Sequence, residues 1–252
     1  MSEDKKRTSN LQKWAPYTMD AADKISDDLK SGASFWKPEA GKKNVCRMLP
    51  ALPGERYPYI VVWEHFVELP ELGSKVRLAC ARVMAKQPCL GCAAAEKLSK
   101  TGNPIDRKAA EDMSARKRLY SSVVDRMEPD RGVLLWAFGV MIHGELKTLL
   151  QHKGDFTDPT EKGYDLIVDR KGSGRFDTEY KVIDGDRCAL GDMSWLDQRH
   201  DLTRFSRVLT IDQQKAALRG EQVGGDEGAP VVQQRKSGGT TIDDVIDGVL
   251  DE

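Results

Sequence analysis

Apolar and polar positions change rhythm twice along the chain. From Phe35 to about Asp212 the apolar residues come in short runs cut by Gly, Pro and Asp, the texture of strands and turns. The runs predict strands over 44–49, 59–66, 75–79, 119–125, 133–138, 165–169 and 180–183. Helical spacing takes over at 92–100, 104–117 and 141–151. Strands and helices do not alternate regularly, so a mainly β fold with interspersed helices, a small barrel rather than a βαβ sheet, is expected.

The two ends have other textures. Residues 1–34 open on the basic run Lys5-Lys6-Arg7, contain Pro16 and carry only a weak helical pattern over 20–29. Beyond Gly220 the chain is rich in Gly, Gln, Ser and Asp, a linker composition. It ends in TTIDDVIDGVLDE, where Ile242, Val245, Ile246, Val249 and Leu250 recur at helical spacing. That pattern predicts an acidic amphipathic helix suited to a partner. The expected organisation is an N-terminal arm (1–34), a core (35–215) with an insertion over about 63–100, and a linker and tail (216–252).

Composition sharpens the picture through charge. The 252 residues carry 39 basic and 40 acidic side chains, a formal charge of −1. From residue 221 onward there are eight acids and two bases, a charge of −6, while the preceding 220 residues hold 37 bases and 32 acids, a charge of +5. A basic body balanced by an acidic tail suits a polyanion partner and a tail that imitates it, although a tail serving only solubility has the same composition. No stretch approaches the roughly 20 apolar residues of a membrane span, and the start MSEDKKRTSN lacks the apolar centre of a signal peptide, so no membrane role and no secretion are expected.

Five cysteines, an odd number set in a cluster, point to metal or thiol chemistry rather than a disulfide framework. His65, Cys80, Cys89 and Cys92 follow the pattern H-x14-C-x8-C-x2-C. The pair Cys89-Leu90-Gly91-Cys92 follows Pro88 and leads into an alanine-rich segment, the shape of a knuckle with a helix leaving behind it. Zinc takes such a Cys3His set tetrahedrally, and four protein ligands leave no open position for water, so one structural Zn2+ is expected. A redox CxxC pair and a plain strand-end histidine are the competing readings; the first lacks the βαβ setting it usually has. Cys46 and Cys188 read as packed thiols. No P-loop, HExxH, GxSxG or paired-carboxylate motif is present, so an enzyme is not expected.

Basic and aromatic residues interleave on the strands: Arg47, Tyr57, Tyr59, Trp63 and Arg77, then Arg116-Lys117-Arg118 with Tyr120, then Trp136 and Phe138, then Lys171, Arg175, Phe176 and Tyr180. Single-stranded nucleic acid needs this combination, because cations follow the phosphates while flat rings stack on bases at about 1–3 kcal/mol each. For any one ring core packing competes, most strongly at Trp63 and Phe66, and one of Trp136 and Phe138 is expected in the core. The segment from Arg116 to Tyr120 carries the expectation furthest.

These residues resemble the single-stranded DNA-binding (helix-destabilising) proteins of T-even bacteriophages. The resemblance begins at Phe35-Trp36-Lys37-Pro38, runs through Gly41, Asn44 and Val45-Cys46-Arg47-Met48-Leu49-Pro50, and then meets the ordered His-Cys-Cys-Cys set. The strand Arg116 to Tyr120, the segment Trp136-Ala137-Phe138-Gly139 and the stretch from Gly174 to Tyr180 are similar to the family's basic-aromatic strand, aromatic-x-Phe-Gly and Gly-Phe-Tyr segments. Coverage is about residues 35–185, and the insertion departs by carrying Arg77, Arg82 and Lys86 where the family has aromatics.

The resemblance implies a five-stranded OB-type barrel with a zinc-binding subdomain. It implies sequence-independent coating of single-stranded DNA during phage replication, recombination and repair, in the cytoplasm of an infected bacterium. Lys5-Lys6-Arg7-Thr8-Ser9 is similar to the arm that contacts the next protomer cooperatively. The tail, with Asp243, Asp244, Asp247, Asp251 and Glu252, is similar to the segment that recruits replication and recombination proteins. A zinc-stabilised RNA-binding module and a protein adaptor stay open as alternatives, because stacking surfaces do not by themselves exclude a 2′-hydroxyl.

Overall fold

One strand organises the sheet. In the computed structural model, which describes residues 35–69, 74–172 and 177–219, β5 (Arg116–Asp125) pairs along one edge with β6 (Val133–Phe138), from Leu119 opposite Phe138 to Val124 opposite Val133. Its other edge is shared. The first half pairs with β3 (Tyr59–Leu69), Tyr59 opposite Ser121 through Glu64 opposite Arg116. The second half pairs with β2 (Asn44–Met48), Met48 opposite Val123 and Cys46 opposite Asp125. The segment between β2 and β3 contains Pro50, Pro53 and Pro58, which have no N–H to offer a ladder, so the two strands can part there.

The rest follows from these pairings. β2 passes the sheet on to β7 (Tyr164–Lys171) and β7 to β8 (Glu179–Arg187), both antiparallel. β1 (Phe35–Trp36) runs parallel to β6, and β3 extends past β5 to form a hairpin with β4 (Ser74–Ala79). The result is an open mixed sheet of eight strands among the described residues, whose end strands β1 and β8 are not paired with one another there. The protein is mainly β with helices between strands, as the apolar pattern predicts.

Between β4 and β5 lie α1 (Ala81–Ala85), α2 (Leu90–Lys100) and α3 (Pro104–Met113). α3 starts where the sequence says it should, with Pro104 in the first turn and the Asn103 side chain accepting from the Ile105 N–H. It stops at Met113 rather than running to 117, because Arg116 already pairs with Glu64 of β3. α4 (Val140–Lys153) follows β6 and covers the main core, in which Trp36, Met48, Trp136, Phe138, Leu146 and Leu166 are buried. The Trp36 ring meets Trp136 edge-on at 5.1 Å, and its Nε1–H donates to Asp125 Oδ2 at 3.0 Å, tying β1 to the central strand.

α5 (Ile211–Leu218) lies beyond the strand-rich region and its spacing did not predict it. Its signal is local: Thr210 and Gln213 form a capping box, each side chain bonding the other's backbone. α5 packs Ala217 and Leu218 against Val76, Leu78 and Leu90, making a second small core under the β3–β4 hairpin. No helix among the described residues is long and apolar enough to cross a membrane. The arm residues Lys5, Lys6, Arg7, Thr8 and Ser9, the expected helices at 20–29 and 242–250, the tail residues Asp243, Asp244, Asp247, Asp251 and Glu252, and Arg175 with Phe176 lie outside the described residues.

Candidate metal centre and nucleic-acid face

The β3–β4 hairpin delivers two of the four donors. His65 lies on β3 opposite Leu78, and Cys80 follows the end of β4, its N–H donating to Trp63 O at 2.7 Å so that the ladder continues one step further. The short α1 then turns the chain, with Lys86 in the left-handed region at φ 58° and the Gln87 N–H returning to Ala81 O at 3.1 Å. That return brings Cys89 and Cys92 to the histidine around the first turn of α2.

The four donor atoms lie within 4.8 Å of one another. His65 Nε2 is 3.3 Å from Cys89 Sγ and 3.5 Å from Cys92 Sγ, and Cys80 Sγ is 3.5 Å from Cys92 Sγ. A tetrahedron with metal–sulfur bonds of about 2.3 Å and metal–nitrogen bonds of about 2.0 Å has edges of about 3.8 Å and 3.5 Å. The donor set therefore fits one metal ion with small adjustments. His65, Cys80 and Cys89 are buried and Cys92 is half-buried, so the ion would be enclosed.

Surrounding groups orient the donors. His65 Nδ1 lies 2.7 Å from Met113 O, and a carbonyl can only accept, so Nδ1 carries a proton and Nε2 is the nitrogen turned to the thiols, which a metal would take in place of its proton. Burial pulls the His65 pKa down, but its bonds to Cys89 and Met113 outweigh that and hold it at about 9. Burial pushes the Cys89 thiol up, and the His65 hydrogen bond overrides it, bringing Cys89 down to about 6. Cys92 is pushed up to about 12, by burial first and then by its bond to Cys80 and the charge of Cys89. One thiolate is thus favoured by the imidazole alone, whereas further thiolates in the same space call for a cation.

Two further residues complete the centre, and neither was singled out from the sequence as part of it. Gly91 leaves no room for a side chain, since a Cβ there would stand 2.6 Å from His65 Cγ. Gln214 reaches in from α5 and accepts the Leu90 N–H at 2.9 Å. The glycine between the cysteines was a readable signal; the glutamine, 124 residues downstream of Leu90, was not.

The residues expected to meet nucleic acid divide into three groups. The first is exposed beside the metal-bearing insertion. Arg116 and Lys117 are exposed and Arg118 is half-exposed. Lys117 Nζ stands 5.0 Å over the Trp63 ring, and the Arg118 guanidinium is 5.8 Å from the centre of Phe66. Arg116 also bonds Glu111 O at 2.9 Å. Residues 80–118 carry nine bases and four acids, a formal +5, so the charge excess of the whole body is concentrated in the insertion and the strand leaving it.

The second group is covered, and here the sequence expectation needs correction. Trp136 and Phe138 are 1% and 2% exposed, both in the main core, so neither ring offers a face to a base. Arg47 is fully buried, with Nη1 donating to Asp165 Oδ1 at 3.1 Å and Nη2 to Asp158 O and Cys188 O at 3.0 and 2.6 Å; it clamps β2 to the β7–β8 end of the chain. Tyr120 is 2% exposed because Phe205 lies flat on it, ring centres 4.4 Å apart and planes 2° from parallel. Its hydroxyl donates to Glu64 Oε2 at 2.7 Å. Arg77 lies beside this stack, 5.2 Å from the centre of Tyr120 and 5.0 Å from that of Phe205, donating to Glu64 and to Phe205 O.

The third group lies apart. Tyr59 is half-buried, with its hydroxyl 3.0 Å from His143 Nδ1 and its ring edge-on to Phe138. Lys171 is exposed and Tyr180 half-buried on β7 and β8, which β2 separates from the Arg116–Arg118 strand. Of the two remaining thiols, Cys46 is fully buried and Cys188 lies 3.6 Å from Arg47 Nη1.

No protein-family model matches the chain, and no curated protein is significantly similar to it.

Proposed function

We propose that this protein coats single-stranded DNA without sequence preference, serves replication, recombination and repair in the cytoplasm of a phage-infected bacterium, and performs no chemistry. The observation that carries the reading is the edge made by β3 and β5, where Lys117 stands over the Trp63 ring on one face of the sheet and Arg116 and Arg118 project from the other. A cation held against an aromatic face is the arrangement that takes a phosphate and a base together. The +5 of residues 80–118 supports it, because phosphate contacts release counterions and supply most non-specific affinity. The ordered metal donors support it through the resemblance to the T-even phage proteins.

In this reading the ion is Zn2+, it is structural, and it holds the insertion in register with β5. The core is an OB-type barrel; a strand shared between two neighbours, as β5 is between β2 and β3, is how small β folds turn a corner. The arm with Lys5 to Ser9 links protomers along the strand, and the tail with Asp243 to Glu252 meets replication partners.

The test is a pair of charge removals on the exposed edge. R116A/K117A should weaken binding to oligo-dT and flatten its log–log salt dependence by about 0.7 per lost phosphate contact, with unchanged thermal stability. Unaltered affinity and slope would remove the proposed edge from the interface.

A further inference from the structure

We propose that Gln214 is a positioning residue for the metal centre, so that metal loading and docking of the carboxy-terminal helix α5 are one linked equilibrium. Gln214 is 1% exposed and all of its bonding runs to the knuckle or to its own helix entry. Its Oε1 accepts the Leu90 N–H at 2.9 Å, and its Nε2 donates to Leu209 O at 2.9 Å and towards Pro88 O at 3.4 Å. Pro88 and Leu90 flank Cys89, and Leu90 is the first residue of α2.

The first N–H groups of a helix have no partner within it and are ordinarily met by the N-cap side chain. The N-cap here is Cys89, whose side chain makes no capping bond, and its Sγ faces His65 Nε2 instead. An N-cap side chain reaches the second or third helical N–H and leaves the first unmet, and Gln214 meets that first one, the Leu90 N–H, from α5. The knuckle turn is thereby fixed from two sides, by the metal donors within and by one glutamine without. The apolar contacts run the same way, since Ala217 and Leu218 of α5 share a buried cluster with Leu90, Val76 and Leu78.

Coupling of this kind is reciprocal. Whatever α5 contributes to holding the donors for a metal, the metal returns to the docking of α5. Groups that orient metal ligands typically change affinity by about 10–100-fold when removed. Q214L keeps the length of the side chain but leaves the Leu90 N–H and the Leu209 carbonyl without their buried partner.

The inference rests on the cluster's taking up Zn2+, and the experiment separates the two claims. Zinc release from the full chain is followed with a chromogenic chelator, for wild type and Q214L. In parallel, hydrogen exchange over 211–218 is measured on wild type with zinc and after chelation. The expected results are zinc held at one equivalent by wild type, release about tenfold or more faster from Q214L, and lost protection of 211–218 on chelation. Equal release rates from a folded Q214L, or equal protection of 211–218 with and without zinc, would overturn the coupling alone; the exchange arm needs no variant to fold. A wild-type chain that binds no zinc would overturn the metal reading itself and the coupling with it.

Discussion

Gly91 and His65 touch so closely that no other residue type fits between them: a Cβ built on Gly91 stands 2.6 Å from Cγ and 2.7 Å from Cδ2 of the imidazole. The ring is also held from behind by Met113 O, so it has nowhere to retreat. G91A should therefore push Nε2 away from the thiols while leaving all four donors in the sequence. Zinc competition against a chelator should give an affinity at least tenfold weaker than wild type. Wild-type affinity would mean that the imidazole does not need its present position.

Glu64 is a buried carboxylate with three partners. Its side chain is fully buried, and Tyr120 Oη, Arg77 Nη1 and Arg118 Nε lie 2.7, 3.3 and 3.8 Å from its oxygens. Burial raises its pKa above the ordinary carboxylate range against the pull of Arg77, Tyr120 and Arg118. E64A leaves the Tyr120 hydroxyl without its acceptor and a mostly buried Arg77 with the Phe205 carbonyl but no counter-charge, and should destabilise by about 3 kcal/mol in urea unfolding. E64Q, which keeps an acceptor oxygen and the volume, should lose less. Equal losses would show that the charge, not the cavity, sets the cost.

His200 makes stability depend on pH. Burial lowers its pKa below the ordinary value of about 6.5, opposed by a hydrogen bond from Nε2 to Val133 O at 3.0 Å. The folded protein keeps the ring neutral while the unfolded chain takes up a proton, so the unfolded state binds more protons as pH falls. The contribution of His200 is complete above about pH 6.5 and is lost on acidification. Urea midpoints at pH 7.5 and 5.5 should fall further for wild type than for H200Q, whose side-chain amide can still donate to Val133 O. An identical fall would assign the acid sensitivity elsewhere.

The opposite charges of body and tail predict competition for the DNA face. A tethered segment acts at roughly millimolar effective concentration, enough for weak contacts to matter. Truncation after residue 220 should tighten oligo-dT binding, most at low salt. Anisotropy titrations that give the same constant for both lengths would contradict this.

Much of this was legible before the fold was known, and the rest failed for identifiable reasons. The four donors could be read from spacing alone, because metal chemistry restricts both residue type and separation, and they meet within 4.8 Å. The strands could be read because apolar runs bounded by Pro, Gly and Asp have few other uses. Trp136 and Phe138 share a sheet face by their period of two, but which face is buried depends on α4, and periodicity alone does not say. Arg47 lies in an apolar strand, and only the fold reveals the carbonyls of Asp158 and Cys188 that receive it. Phe205 and Gln214 act on Tyr120 and Leu90 across more than 80 residues of chain, a separation that no local pattern records.

The central claim is that the face around Trp63 and Lys117 takes single-stranded DNA. Its most direct test is intrinsic tryptophan fluorescence titrated with oligo-dT, an RNA of matching sequence and a duplex, at low and moderate salt. Trp36 and Trp136 are buried against each other, which leaves Trp63 and Trp195 half-buried among the described residues; W63F should lose most of the signal and W195F should keep it. Strong quenching by oligo-dT, weaker quenching by RNA and least by duplex are expected, each falling with salt. An equal or absent response to all three would contradict the claim, and would leave the metal centre and the acidic tail as features of a protein adaptor.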